Sequence, residues 1–345
     1  MKWRSGAYTL LGERLAIAGG CAVGDRRGIQ YRDMEIIPGI GAIPEDIGET
    51  VVTIGMFDGV HRGHQKIIHI AHEKARERGL RCVVFTFDRH PLEVLKPGRH
   101  PKLLSSSAQK LRLLEELDVD MVLMVHFDED FSVLTAEDFV EGLLSGSLHA
   151  REVVLGENFR FGRGGEGDVG SIAALGAARG IVATPVPLLR DNGEVISSTL
   201  IRKMVERGEV EEAKNRLGWD YMIEGVVVRG DGRGRRMGFP TANIEVHDNR
   251  CIPANGVYAV EAHLEHRILP AVSYIGEVPT FAHDQEGKRR VEVHIPGWEE
   301  DLYDYFMGIS FQARLRGEET FPDAQALIAQ IKTDVNKALK IQEET

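Results

Sequence analysis

Val51-Val52-Thr53-Ile54-Gly55-Met56-Phe57-Asp58-Gly59-Val60-His61-Arg62-Gly63-His64 is the stretch that decides the fold. Its first five residues form a short apolar, β-branched run, the pattern of a buried strand. A turn bracketed by glycines follows. From Gly63 to Arg78 the apolar positions Ile67, Ile68, Ile70, Ala71 and Ala75 then keep helical spacing. His61 and His64 stand three apart at the start of that helix, so both imidazoles fall on one face. Free N–H groups and the partial positive charge of the helix N-terminus sit beside them. Such an arrangement can hold a phosphate and stabilise charge that develops on it. Zinc would need a third ligand, and nearby His69 and His72 point along a different part of the helix.

Outward from this turn the alternation repeats. Strands are expected at Arg81–Asp88, Asp120–Phe127, Glu152–Gly156 and Ile181–Pro187, and helices at Ser107–Leu117, Thr135–Leu144 and Gly170–Arg179. Thr135 reads as an N-cap with Asp138 three residues on. Strands alternating with helices indicate an α/β, doubly wound, Rossmann-like parallel sheet with helices on both faces. In such sheets the ligand crevice lies at the carboxyl ends of the strands, where the histidine turn falls.

After Ser198 the chain changes character. Thr199–Leu217 reads as a charged surface helix and connector. Beyond Trp219 the helical period stops. Tyr221–Arg229, Gly256–His263, Ile268–Ile275, Arg290–His294 and Tyr305–Leu315 read as strands between Gly, Pro, Asp and Asn turns. This spacing suggests an antiparallel barrel or sandwich. Ala324–Lys340 closes the chain as an amphipathic helix with Leu327, Ile328, Ile331, Val335 and Leu339 on one side. The expected domains are 34–218 and 219–345. Residues 1–33 read as a poorly ordered extension, with Met34 a plausible alternative start. Its apolar run Leu15–Val23 is separated from Lys2 and Arg4 by Glu13 and Arg14, unlike an export signal.

Composition narrows the function classes. Lys and Arg number 42 against 53 Asp and Glu, a net charge of −11, which argues against a nucleic-acid partner. No apolar run is long enough to span a membrane. Three separated cysteines, with no CxxC pair, suit a reducing compartment, and the expected location is the cytoplasm. The expected assembly is a monomer or a weak homo-oligomer.

Three further segments carry chemistry. Gly156-Glu157-Asn158-Phe159-Arg160-Phe161-Gly162-Arg163-Gly164-Gly165-Glu166-Gly167-Asp168 follows the fourth strand, and its aromatics and arginines could stack a planar ring beside an anion. A flexible surface loop is the plainer alternative. Ile196-Ser197-Ser198-Thr199-Leu200-Ile201-Arg202 puts three hydroxyls and an arginine at the next junction, where Ser and Thr are commonly N-caps. In the β-rich half, Gly230-Asp231-Gly232-Arg233-Gly234-Arg235-Arg236-Met237-Gly238-Phe239-Pro240-Thr241-Ala242-Asn243-Ile244 could wrap phosphate oxygens with backbone N–H groups. Thr241 and Asn243 offer hard oxygen ligands for Mg²⁺. Glu292 would sit on a strand with its neighbours facing the other way, either as a solvent-facing carboxylate or as a base.

At these residues the sequence resembles the bacterial bifunctional riboflavin kinase/FAD synthetase family, from roughly Met34 to Lys340. GMFDGVHRGHQ is similar to its nucleotidyltransferase motif, FTFDRHP and GENFRFGRGGEGD to its flavin-side loops, ISSTLIR to its second nucleotide motif, and GDGRGRRMGFPTANI to its kinase signature. The resemblance implies an N-terminal domain that adenylylates FMN to FAD and a C-terminal six-stranded barrel that phosphorylates riboflavin. ATP, riboflavin and FMN would be substrates and Mg²⁺ the cofactor. It further implies that His61 and His64 stabilise the α-phosphate and that Glu292 is the general base on the ribityl 5′-hydroxyl. ATP contacts would come from Gly55, Phe57, Asp58, Gly63, Ser197, Ser198, Thr199, Arg202, Gly238, Thr241 and Asn243. Flavin contacts would come from Asn158, Phe159, Arg160, Phe161 and Asp168.

Some positions depart from the family pattern. Leu200 stands where an Arg is usual, as does Val278 in the Tyr274–Phe281 segment. Ile295-Pro296-Gly297-Trp298 replaces an acidic, aromatic stretch, and Asp304 ends a motif usually read DLYG. An adenylyltransferase, or a flavin-binding protein, with a degenerate kinase half is therefore the alternative.

Overall fold

The computed structural model describes residues 34–265, 267–277 and 289–343. The chain divides into two compact units, with the break between Ser198 and Thr199. The expectation for residues 1–33 lies outside the described residues, as do Val278 and the rest of its segment to Phe281.

The first unit is a six-stranded, all-parallel sheet in the order β1-β4-β3-β2-β5-β6. Its strands are β1 (Glu35–Ile37), β2 (Thr50–Ile54), β3 (Arg81–Phe87), β4 (Met121–Val125), β5 (Ala150–Gly156) and β6 (Val182–Val186). Every residue of β2 is buried, because a central strand of a parallel sheet is covered on both faces. That is why its sequence runs Thr-Val-Val-Thr-Ile without polar alternation. Pro185 lies in β6, an edge strand, where its missing N–H leaves no gap in a ladder. Helices α1 (Arg62–Arg78), α2 (Ser107–Glu115) and α3 (Val169–Gly176) lie between strands, and α1 packs on β2, β3 and β5.

Three details differ from the expectation. β1 is a strand of only three residues, too short to leave a period in the sequence. The helix capped by Thr135, whose Oγ1 accepts from the Asp138 N–H at 3.0 Å, widens over Phe139–Ser147 into π-type hydrogen bonding. A two-strand ribbon, β7 (Arg190–Asp191) and β8 (Glu194–Val195), precedes Ile196.

The break falls after the first residue of α4 (Ser198–Arg207), and the second unit takes in the rest of that helix and α5 (Val210–Leu217). One helix was expected here. Gly208, at φ 77°, breaks it in two. The strands β9 (Met222–Val228), β10 (Ala242–Glu245), β11 (Gly256–Leu264), β12 (Arg267–Glu277), β13 (Arg289–His294) and β14 (Phe306–Arg316) close into a barrel, ordered β10-β13-β12-β11-β14-β9. The sandwich alternative is thereby resolved to a barrel. β10 lies within the glycine-rich Gly230–Ile244 segment and is absent from the expected strands, because Pro240 and Thr241 precede it and only four residues pair. Tyr221, Tyr258 and Phe311 are fully buried and in ring contact. α6 (Ala324–Glu343) packs Val335, Ala338 and Ile341 on Val257, Ala259, Val272 and Leu315. Its buried stripe also passes through Asp334, which accepts from Arg316 Nε at 3.0 Å.

Candidate active sites

The histidine turn leaves the C-terminal end of β2 through a strained backbone. Phe57 has φ 47°, Gly59 φ 75° and Val60 φ 35°. A β-branched residue in the left-handed region is a true outlier, costing on the order of 1–3 kcal/mol that the surroundings must offset. The Asp58 carboxylate supplies that restraint. Buried to 2% exposure, its Oδ1 accepts from the Leu104 N–H at 2.9 Å and the Ser105 N–H at 3.1 Å. Ser105 Oγ in turn accepts from the Gly59 N–H at 2.9 Å. Asp58 thus holds the turn from beneath.

His61 caps α1, its Nδ1 accepting the His64 N–H at 3.3 Å, which leaves Nε2 as the proton-bearing nitrogen of the neutral ring. The two imidazoles stack with centroids 3.6 Å apart and planes at 18°. Phe57 meets His64 edge-on at 5.2 Å. Gly63 makes room for this, since a Cβ there would lie 3.1 Å from the His61 ring. The ring of Phe57 lies over Gly55 in the same way. Burial lowers the His61 pKa to about 4, against the opposing pull of Asp58. Burial, then His61, then Lys110 push His64 well below the usual histidine range. Both rings are therefore neutral hydrogen-bond donors at pH 7.

Ser198 closes the site from the other motif, its Oγ donating to the Asp58 carbonyl at 3.0 Å. Ser197 precedes it. Thr199 is exposed and Arg202 is buried on α4, counted with the second unit. The Arg202 carbonyl accepts from the Cys251 thiol.

The 156–168 loop is a held structure rather than a loose one. Phe161 and Gly167 exchange backbone hydrogen bonds, and the Arg163 N–H reaches the Leu134 carbonyl at 2.7 Å. Asn158 is exposed beside Gly156, and Phe159 is half-buried and stacked on Phe161 at 6.0 Å. Phe161 is itself a core residue, 7% exposed, with its ring 5.1 Å from Phe139. Arg160 pairs with Asp168 at 3.0 Å. Asp168 also caps α3, and the Ser171 N–H it accepts holds its carboxyl below the usual range.

In the barrel, β10 and β13 pair so that Asn243 lies directly across from Glu292. Val291 and Val293 are buried while Glu292 is partly exposed, the alternation expected of the strand. Thr241 Oγ1 donates to Glu292 Oε2 at 3.1 Å. Arg290 Nη1 bridges Glu292 at 3.3 Å and Asp231 at 3.0 Å. Gly230 forms a cradle for Asn243, where a Cβ would lie 2.2 Å from Nδ2. Gly238 turns at φ 86°. An open cleft of about 230 Å³ adjoins, lined by Thr241, Arg235, Val227, Val293, Trp298 and Tyr303 among others. The hydroxyl of Thr241 and the amide oxygen of Asn243 form a hard-oxygen donor set of the kind Mg²⁺ prefers. Among the described residues no group of three His, Cys, Asp or Glu could hold a metal ion.

The comparisons fall on the same two regions. A family profile described as FAD synthetase matches residues 43–200, and one described as riboflavin kinase matches residues 217–342. The bifunctional riboflavin kinase/FMN adenylyltransferase of Bacillus subtilis (strain 168) is 34% identical over 300 residues, 86% of this chain and 94% of that one. Its counterpart in Escherichia coli (strain K12) is 37% identical over 303 residues, covering 87% and 96%. The chain belongs to the bifunctional riboflavin kinase/FMN adenylyltransferase family.

A solved Streptococcus pneumoniae structure, described as a macrolide-efflux protein, matches with a TM-score of 0.78 at 31% identity, covering 88% of this chain and 97% of that one. That likeness carries the fold, and the activity in its description is said of that protein alone. Of the departures from the family pattern, Leu200 is half-buried on α4. Trp298 and Tyr303 line the cleft, each with an arginine over its ring, Arg267 at 5.6 Å and Arg229 at 5.3 Å. Asp304 adopts φ 65°, in the left-handed region that favours glycine, the residue that the resemblance implies there.

Lys110 was missed by the sequence reading. It is 2% exposed and donates to the Phe87 carbonyl at 2.8 Å, behind the histidine turn. A signal was present: it lies four residues before the buried Leu114, on the inward face of α2.

Proposed function

We propose that this chain converts riboflavin and ATP to FMN and ADP in its barrel, then FMN and a second ATP to FAD and pyrophosphate in its parallel-sheet unit. The observation that carries the reading is the presence, in one chain, of two different polar clusters on glycine-rich turns, each suited to a phosphate. One is a stacked pair of neutral imidazoles on a strained turn. The other is a strand carboxylate hydrogen-bonded to the threonine of a glycine-rich loop.

In adenylyl transfer an FMN phosphate oxygen attacks the α-phosphorus of ATP as the bond to the β-phosphate oxygen breaks. The nucleophile is already an anion, so no base is needed. What lowers the barrier is donors placed where charge builds. His61 and His64 donate from their proton-bearing nitrogens to the α-phosphate, while α1 adds its N-terminal N–H groups. Asp58, Ser105 and Ser198 hold the turn, and Gly55, Phe57 and Gly63 shape it. Ser197 contacts ATP. Asn158, Phe159 and Arg160 face the flavin, while Phe161 and Asp168 fix their loop.

In riboflavin phosphorylation Glu292 takes the proton of the ribityl 5′-hydroxyl as its oxygen bonds the γ-phosphorus and ADP leaves. Thr241 and Asn243 would hold Mg²⁺, which when bound offsets phosphate charge, and Gly238 shapes the loop around the phosphates. We also place these reactions in a reducing cytoplasm, consistent with the buried free thiols Cys82 and Cys251.

The test is a chromatographic time course with riboflavin, ATP and Mg²⁺. FMN should appear first and FAD second. Riboflavin left untouched while added FMN becomes FAD would mean a barrel without turnover. No change in either flavin would overturn the reading.

A further inference from the structure

Behind the histidine turn, a lysine is sealed inside the parallel-sheet unit. Lys110 Nζ donates to the Phe87 carbonyl at 2.8 Å and to Thr86 Oγ1 at 3.4 Å. Thr86 Oγ1 donates in turn to the Met56 carbonyl at 3.1 Å. Met56 opens the turn that carries Phe57, and Phe57 meets His64 edge-on. A continuous chain of hydrogen bonds therefore runs from α2 through the end of β3 to the histidine turn.

The titratable groups around the amine come from four elements. Asp58 lies on the turn itself and Asp88 at the end of β3, and both favour the ammonium. His64 on α1 feels that ammonium, which disfavours protonation of its ring. His126, beyond β4, engages Asp88 through Nδ1 at 2.6 Å. Asp58 is already satisfied by the Leu104 and Ser105 N–H groups.

An aliphatic side chain would fill this space without the cost of burying a charge. We propose that Lys110 is a positioning residue for adenylyl transfer, its buried ammonium fastening the histidine turn to the end of β3 and setting the field in which His64 meets the phosphate. The inference rests on the proposed FMN adenylylation and goes beyond it by assigning a group that does not touch substrate. Burial lowers the Lys110 pKa to about 8, so the ammonium is lost within an accessible pH range.

The test uses the full chain and its own kinase reaction as the internal control. Lys110→Met should lower kcat for adenylylation of added FMN by about 10²-fold, as expected when reacting groups are displaced by about an ångström. KM for ATP should move little, and riboflavin phosphorylation should be unchanged. In the same variant the His64 ring, followed by NMR, should titrate at higher pH than in the parent chain. A lysine with only a packing role would leave that titration unmoved.

The parent chain supplies a second arm, independent of whether the variant folds. Its adenylylation should fall as pH rises through about 8, with no matching limb in the kinase reaction. Unfolding does not account for such a limb. With the native pKa below the unfolded one, this group's contribution to stability increases from pH 8 upward. Adenylylation that stays flat to pH 9, or a folded Lys110→Met variant with full activity, overturns the proposal. A parent chain that makes no FAD at any pH overturns the functional reading itself, and this inference with it.

Discussion

The two sites proposed for this chain's phosphorus transfers offer opposite electrostatic conditions. In the parallel-sheet unit His61 and His64 are neutral because burial strips them of water, and they follow a turn in which Phe57, Gly59 and Val60 take left-handed φ. In the barrel Glu292 is partly exposed and lies within a chain of partners, Thr241 on one oxygen and Arg290 on the other. The difference follows from the nucleophiles. A phosphate attacks as an anion, so its site needs fixed donors in a dry setting. A hydroxyl must give up a proton, so its site needs a carboxylate that can accept one.

This contrast is broken most directly by removing the base. Glu292→Gln should lower riboflavin phosphorylation by about 10³-fold, within the usual range for general-base loss, and leave adenylylation of added FMN unchanged. Separate assays with riboflavin and with FMN as sole acceptor measure both. Equal loss of the two activities would mean that the sites are not independent.

His64→Ala is the converse experiment. Loss of one charge-stabilising donor costs about 10²-fold in related settings, and the kinase reaction should be untouched. The pH dependence sharpens the point. An imidazolium mechanism would lose rate as pH rises through the ordinary histidine value. With the His61 pKa near 4, adenylylation should instead hold steady from pH 7 down to about 5 and fall below that. The stability sign agrees. A depressed histidine pKa supports the fold above the unfolded value of 6.5 and loses that support as pH falls toward 4. A rate profile between pH 4 and 8, with a melting curve at each point, checks both.

At the β9–β10 seam of the barrel the backbones leave no room for a side chain. A Cβ on Gly225 of β9 would lie 2.0 Å from the Glu245 carbonyl oxygen of β10. Backbone cannot swing aside as a flexible side chain can, so Gly225→Ala should cost about 3 kcal/mol and open the β9–β10 seam. The kinase reaction should become heat-labile while adenylylation keeps its thermal profile. If both fall at the same temperature, the units unfold as one.

Legibility in the sequence followed the same divide. The histidine turn was readable because strand, turn and helix start are consecutive, so local spacing placed both rings on one face. The β2 strand was readable because burial on two faces removes polar alternation. What escaped was set by tertiary partners. β1 is a strand only because Met121–Leu123 lies beside it, and β10 only because β9 and β13 flank it. Lys110 reads as an ordinary helix lysine until Phe87 and Thr86 close around it. Asp334 lies on the buried stripe of α6, where a search for apolar spacing passes over it and the partner, Arg316, comes from β14. Phe161 reads as a ring available to a ligand, yet it packs against Phe139, centroids 5.1 Å apart, and is buried in the core.

The smallest effect is expected at the rim of the kinase cleft. Asp304 is exposed, and its N–H donates to the Val227 carbonyl at 3.0 Å while φ is 65°. Asp tolerates this region better than most residues, because its short side chain can satisfy local backbone groups. Alanine lacks that compensation, so Asp304→Ala should cost about 1 kcal/mol. Asp304→Gly should change stability by less than about 0.5 kcal/mol, the relief of strain being offset by the extra freedom of the unfolded chain. Neither substitution removes a group assigned to proton transfer, so riboflavin phosphorylation at low temperature should survive in both. Denaturant melts of the two variants beside the parent chain give the comparison. Equal destabilisation by alanine and glycine would place the value of Asp304 in its carboxylate rather than in its backbone conformation.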